Sequence, residues 1–164
     1  NDQINIIDKA NIKKANGSRY FDSEGVRIED LQLVKNGILN DYLVETYSGK
    51  KINRKSNGRS SGTTNLYFEN GDQSFDQLIN SDKKLLYIKE TIGRGANIIT
   101  GDYSVGASGI IIENGEFTFP VSEITIAGNF NEMFKNIILA DDLEFKYSTN
   151  SPTMLINGIT VGGK

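Results

Sequence analysis

The chemistry open to this sequence is bounded first by what it lacks. Its 164 residues include no histidine and no cysteine. Ser–His and Cys–His nucleophile pairs are therefore impossible within the chain, and the usual nitrogen and sulfur ligands of zinc are missing too. Carboxylate, lysine and tyrosine chemistry remains. The densest gathering of polar and glycine residues is Gly101-Asp-Tyr-Ser-Val-Gly-Ala-Ser-Gly109, preceded by Thr100. A phosphate loop would end in Gly-Lys-Ser/Thr at a helix N-terminus, whereas an isoleucine-rich strand follows here. Two readings are left. In one, the stretch is a strand whose glycines let another backbone come close. In the other, it is an edge that contacts peptide, with Thr100, Asp102, Ser104 and Ser108 as candidate contacts to peptide or partner.

Shorter patterns carry less weight. Ser48-Gly-Lys-Lys51 and Ser81-Asp-Lys-Lys84 both match the Ser-x-x-Lys pattern of some acyl-transfer enzymes. The companion motifs of those enzymes are absent, and two fixed positions in four arise easily by chance. Lys83 and Lys84 fit better at the negative C-terminal end of a helix. Asp22 with Glu24, and Asp141 and Asp142 with Glu144, are paired carboxylates beside turn-like sequence, and neither cluster has a calcium-loop spacing. No catalytic and no metal-ligating residue is assigned. From Ser48 to Thr64, five cations (Lys50, Lys51, Arg54, Lys55 and Arg59) stand among Ser, Gly and Asn. Composition favours a solvated, mobile loop; the functional alternative is a basic arm for an acidic partner or a peptide carboxylate.

The elements that must position these residues are mostly strands. Asn-Gly favours the positive φ angles of a type I′ turn. The pairs at 36–37, 114–115 and 157–158 have apolar runs on both sides, which predicts three hairpins. Further strands are expected at Gln3–Ile7, Asn65–Glu69, Leu85–Ile92, Glu123–Ala127 and Leu143–Tyr147, where β-branched and aromatic residues collect. Ser74 and Gln77 form a capping box ahead of Phe75, Leu78 and Ile79. Phe130, Met133, Phe134, Ile137 and Ile138 keep helical spacing behind Asn129 as cap. The fold class expected is α+β, strand-rich, with a mostly antiparallel, barrel-like sheet body and two short helices, forming a single domain over residues 1–164.

Hydrophobic content of 37% and charged content of 24% describe a folded globular protein. Apolar runs such as Ile110-Ile111-Ile112 fall far short of the ~20 residues of a membrane-spanning helix. A chain without cysteine fits a reducing cytoplasm. Net charge is −3, with 15 basic and 13 acidic side chains in residues 1–94 against 3 and 8 in residues 95–164. That balance argues against direct nucleic-acid binding.

Longer stretches carry a resemblance. Gly17-Ser-Arg-Tyr-Phe-Asp-Ser-Glu-Gly-Val26 resembles the GS-x-x-FD-x-EG signature of the TldD/PmbA family, and Thr100–Gly109 resembles its TGDYS-x-GASG stretch. Ile112–Glu116, Pro120–Asn129, Met133–Ile137 and Ser151–Gly163 follow in the family's order. The run Glu113-Asn-Gly-Glu116 with Pro120–Asn129 resembles the PmbA, or TldE, branch. The resemblance implies the C-terminal part of a PmbA/TldE-like subunit, without its N-terminal portion. It implies a cytoplasmic, two-subunit metallopeptidase complex that matures or degrades peptides, with zinc on the TldD-like partner and no cofactor in this chain. The implied partners are that TldD-like subunit and a peptide substrate; a homodimer is a further option. The competing expectations are a non-enzymatic regulatory module of the DNA gyrase modulator type and a homodimeric peptidase working with carboxylates alone.

Overall fold

The computed structural model describes residues 1–163. In chain order its elements are β1 (Ile6–Lys9), β2 (Leu31–Lys35), β3 (Ile38–Leu39), α1 (Thr46–Lys51), β4 (Asn65–Phe68), α2 (Phe75–Ile79) and β5 (Lys84–Ile92). They continue with β6 (Asp102–Glu113), β7 (Glu116–Asn129), α3 (Phe130–Lys135), β8 (Ile137–Leu139), β9 (Thr149–Asn150), β10 (Met154–Ile156) and β11 (Thr160–Gly162). The chain divides into two compact units, one of residues 1–71 and 142–152, the other of 72–141 and the residues from Thr153 onward. The α+β class expected from the sequence is what the structure has. Among the described residues the sheets are open rather than closed into a barrel, and the helices are three rather than two.

The first unit is a five-stranded sheet in the order β3-β2-β1-β4-β9. All its pairings are antiparallel except β4 with β9, where Leu66 faces Thr149. The turn between β2 and β3 is the Asn-Gly hairpin expected, with φ of 50° at Asn36 and 73° at Gly37. Ile4, Ala10, Ile28, Val44 and Tyr67 are buried, and Phe145 meets Tyr67 edge-on at 5.0 Å between ring centres. The interior is also polar. Asp8 and Arg59 pair at 2.6 Å, and neither side chain is exposed at all. Arg59 donates further to the carbonyls of Asn57 and Glu29, and Thr64 donates its N–H and hydroxyl to Asp8 Oδ1 at 2.7 and 2.8 Å. The basic stretch is therefore not solvated throughout. It supplies α1, an Arg54–Asp41 pair at 2.6 Å and the buried cation of this core.

The second unit holds the antiparallel sheet β11-β7-β6-β5 and the two-stranded pair β10-β8. Val105, Ala107, Ile124 and Ile126 form its core, with Leu86, Ile88, Tyr103, Val121 and Ile159 packed around them. The second Asn-Gly turn, with φ of 51° at Asn114 and 81° at Gly115, joins the long strands β6 and β7. α2 starts as expected, with Ser74 accepting from the Gln77 N–H and Gln77 reaching back to the Ser74 N–H. Ser81, at the helix end, donates its hydroxyl to the Leu78 carbonyl.

Three local expectations fail for physical reasons. The apolar stripe behind Asn129 does not stay helical: α3 ends at Lys135, and Ile137–Leu139 becomes β8 because β-branched residues there pair with Met154–Ile156. None of the α3 residues is buried, and Phe134 is 43% exposed. The third Asn-Gly makes a turn but no hairpin, since β10 pairs with β8 while β11 pairs with β7. Residues 143–147 form no strand; Lys146 and Tyr147 instead donate their N–H groups to the Asn150 side chain.

Candidate functional site

Alternation along β6 sets the site. Val105 and Ala107 point into the core of the second unit, which turns Asp102 and Ser104 to the other face, where both are exposed. Ahead of β6, the chain from β5 closes in a tight turn. Asn97 accepts on its side chain from the N–H groups of Ile99 and Thr100, and the Gly101 N–H donates to the Asn97 carbonyl at 2.8 Å. Gly101 takes φ of +79°, a value that glycine reaches without strain. The turn holds Ile98 and Ile99 out, 93% and 91% exposed.

Below that turn the Thr100 hydroxyl donates to Asp102 Oδ2 at 2.7 Å. Asn129, opposite Asp102 on β7, donates from its amide to Asp102 Oδ1 and to the Thr100 carbonyl, both at 3.1 Å. The other face of the same amide caps α3, its oxygen accepting from the Asn131 N–H at 3.0 Å. The Thr100 hydroxyl first, and the Asn129 amide second, hold the Asp102 carboxyl below its ordinary pKa. A carboxylate so well supplied with donors is a weak base and a good acceptor. This arrangement suits binding or bracing better than proton transfer.

The four residues singled out from the sequence do not form one site. Thr100 and Asp102 are in direct contact. Ser104 follows on the same face, opposite Ala127. Ser108 lies roughly 20 Å from Asp102 along the strand, at ~3.3 Å per residue, in a separate depression with Lys89, Glu90 and Ser122 among its lining residues. Its hydroxyl makes no hydrogen bond among the described residues. Asn129 is the residue that sequence reasoning placed only as a helix cap; its pairing with Asp102 depends on the β6–β7 register.

The other signature stretch, Gly17–Val26, is built differently. Asp22 Oδ1 accepts the N–H groups of Glu24 and Val26, and its Oδ2 that of Ser60. Arg19 donates to the carbonyls of Ser61, Gly62 and Thr63, and Ser18 bonds Ile12 and Asn65. Glu24 accepts both the N–H and the hydroxyl of Thr46, at the start of α1.

The fold and these two stretches belong to a family. The chain is a member of the PmbA/TldA metallopeptidase C-terminal domain family, whose model matches residues 1–163. A Haemophilus influenzae protein described as a metalloprotease PmbA homolog is 40% identical over 99% of this chain and 36% of its own length. A Thermotoga maritima crystal structure, described as a candidate modulator of a DNA gyrase, superposes with a TM-score of 0.89 and 31% identity over 99% of this chain and 40% of that one. TldE from Thermococcus kodakarensis has the same fold, with a TM-score of 0.85 and 21% identity over 99% and 40% of the two chains. This chain thus spans little more than a third of the length of the relatives it matches.

The relatives' name raises the question of a metal. Among the described residues no three of His, Cys, Asp or Glu come together in a group able to hold one, and the sequence supplies neither imidazole nor thiolate. The donor set does not fit a zinc site. No helix among the described residues is long and apolar enough to cross a membrane.

Proposed function

We propose that this chain is the C-terminal region of a metal-free subunit that works with a zinc-bearing, TldD-like partner in a cytoplasmic complex that processes or degrades peptides. One observation carries this reading: the chain belongs to a metallopeptidase family yet contains no histidine or cysteine. Its share of the work is to complete a cleft. β5 is the end strand of its sheet, nine residues long, and its outer edge suits an extended peptide added by main-chain hydrogen bonds. The braced Thr100–Asp102–Asn129 end and the exposed Ile98–Ile99 turn are the surface for the partner subunit.

The test combines a full-length subunit carrying this region with a TldD-like protein. Co-purification, zinc by elemental analysis on each separated subunit, and peptide cleavage by the mixture and by each alone are measured. We expect zinc on the partner only and cleavage only by the mixture. Ser108→Val should lower cleavage or assembly while stability shifts by no more than ~1 kcal/mol, and Ile99→Asp should weaken co-purification. Zinc held stoichiometrically by the separated subunit, or cleavage without the partner, would overturn the reading. The description of the Thermotoga relative favours a second reading, a regulator of DNA gyrase. It expects gyrase, and no zinc-bearing peptidase, to co-purify.

A further inference from the structure

Two irregularities face each other across one residue of β6. On β5, Ile88 stands opposite Gly109 and Glu90 opposite Ser108, which leaves Lys89 as an extra residue between them. On β7, Val121 stands opposite Gly109 and Ile124 opposite Ala107, so Ser122 and Glu123 together span Ser108. Bulges re-aim side chains and interrupt the ladder, and they collect beside functional sites. Glu123 also takes φ of +56°, which a residue with a Cβ rarely adopts. The centre is fixed by Gly109, where an added Cβ would lie 2.1 Å from the Tyr87 carbonyl oxygen.

Between the bulges lies an open depression of about 500 Å³. That volume falls within the range of small-ligand sites. Lys89, Glu90, Ser108 and Ser122 supply its polar groups, and Pro120 and Val121 part of its apolar wall. Among the described residues, none of those four polar side chains is engaged with another group. One free ammonium, one free carboxylate and two free hydroxyls around a common space are complementary to a ligand that carries both charges itself. A polyanion such as a nucleotide would meet Glu90, and a metal ion would find one carboxylate only.

We propose that this depression binds a short zwitterionic peptide. Lys89 pairs with its terminal carboxylate, Glu90 with its terminal ammonium, and Ser108 and Ser122 hydrogen-bond its amide. The inference rests on the peptidase reading above for its biological sense, since short peptides are what such a complex releases, but its test needs neither partner nor cleavage. The chain, isotopically labelled, is titrated with dialanine, with N-acetyl-dialanine and with dialanine amide, and backbone amide shifts are followed. Dialanine should give saturating shifts at Lys89, Ser108 and Ser122, and blocking either terminus should weaken binding about tenfold or more. Lys89→Met should remove the sensitivity to amidation and leave that to acetylation; Glu90→Gln should do the reverse. Both positions are exposed, and the unperturbed remainder of the spectrum reports that each variant is folded. Absent shifts at about 10 mM dialanine, shifts located elsewhere, or equal binding of blocked and free peptides would overturn the proposal. Such a result, with partner-dependent cleavage intact, would leave the peptidase reading standing.

Discussion

The stretches Gly17–Val26 and Thr100–Gly109 draw on the same residue types, glycine, serine and aspartate, and the structure uses them in opposite ways. In the first, Asp22 is 8% exposed and holds three backbone N–H groups, while close by the buried Asp8–Arg59 pair ties β1 to the segment before β4. In the second, Asp102 is exposed, braced by Thr100 and Asn129, and Ser104 and Ser108 are left facing outward. Polar residues that are buried and satisfied fix a backbone. Polar residues that are exposed and only partly satisfied are available to something else. Motif composition alone does not separate the two cases; burial and partners do.

The largest effect that would test the contrast is in the first unit. Arg59→Met leaves the Asp8 charge buried without its cation and should cost about 3–5 kcal/mol, read from urea midpoints. Adding Asp8→Asn should recover part of that loss. A cost under about 1 kcal/mol would mean that this pair is not scaffold and that the contrast is drawn in the wrong place. In the second unit Gly109→Ala should cost about 1–3 kcal/mol, as overpacking does, because the new methyl meets main chain at the Tyr87 carbonyl rather than a side chain that can turn away. Asn129→Ala removes both a helix cap and a donor to Asp102. We expect about 1 kcal/mol from the cap, and an Asp102 pKa that rises toward its ordinary value, measured by carboxyl carbon shifts against pH.

The smallest effect is the acid response. Burial pushes the Asp22 carboxyl up, but hydrogen bonds from Ser60, Val26 and Glu24 outweigh it and leave the pKa below 3.8. A carboxyl depressed by folding adds stability that is complete above its unfolded pKa and is lost as pH falls through the folded value. Asp22→Asn should therefore flatten stability against pH below about 3.8, whereas Asp102→Asn, lowered in the same direction but fully exposed to solvent, should change that slope less. Equal slopes would erase the distinction between the two carboxylates.

The features read correctly from the sequence are those set by local backbone preference. Asn36-Gly37 and Asn114-Gly115 turned hairpins, and Ser74 with Gln77 started α2, because each depends on a few adjacent residues. The failures needed partners distant in sequence. Ile137 and Ile138 fit a helical stripe equally well as a strand, and only Met154–Ile156 decided for the strand. Arg59 looked solvated because Asp8, its counter-charge, stands far back in the chain. Ser108 shares one glycine- and hydroxyl-rich stretch with Asp102, and the two bulges that give it different surroundings leave no mark in the sequence beyond Gly109. Asn129 was visible as a cap, yet its reach to Asp102 follows from a register between long strands.

The parallel pairing of β4 with β9 sets a timetable. Leu66 waits for Thr149, and residues 72–141, the larger part of the second unit, are threaded between them. At ordinary translation rates of ~5–20 residues per second, a ribosome making this chain needs on the order of ten seconds to deliver the last strand of a sheet whose other four strands have long since emerged. Until then the β4 edge is an open template for any strand that arrives first. The intervening residues 72–141 have ends that meet where the Asp141 N–H donates to the Gln73 carbonyl at 2.9 Å, and that contact shortens the loop whose closure completes the sheet. Order of synthesis thereby becomes part of how the fold is secured.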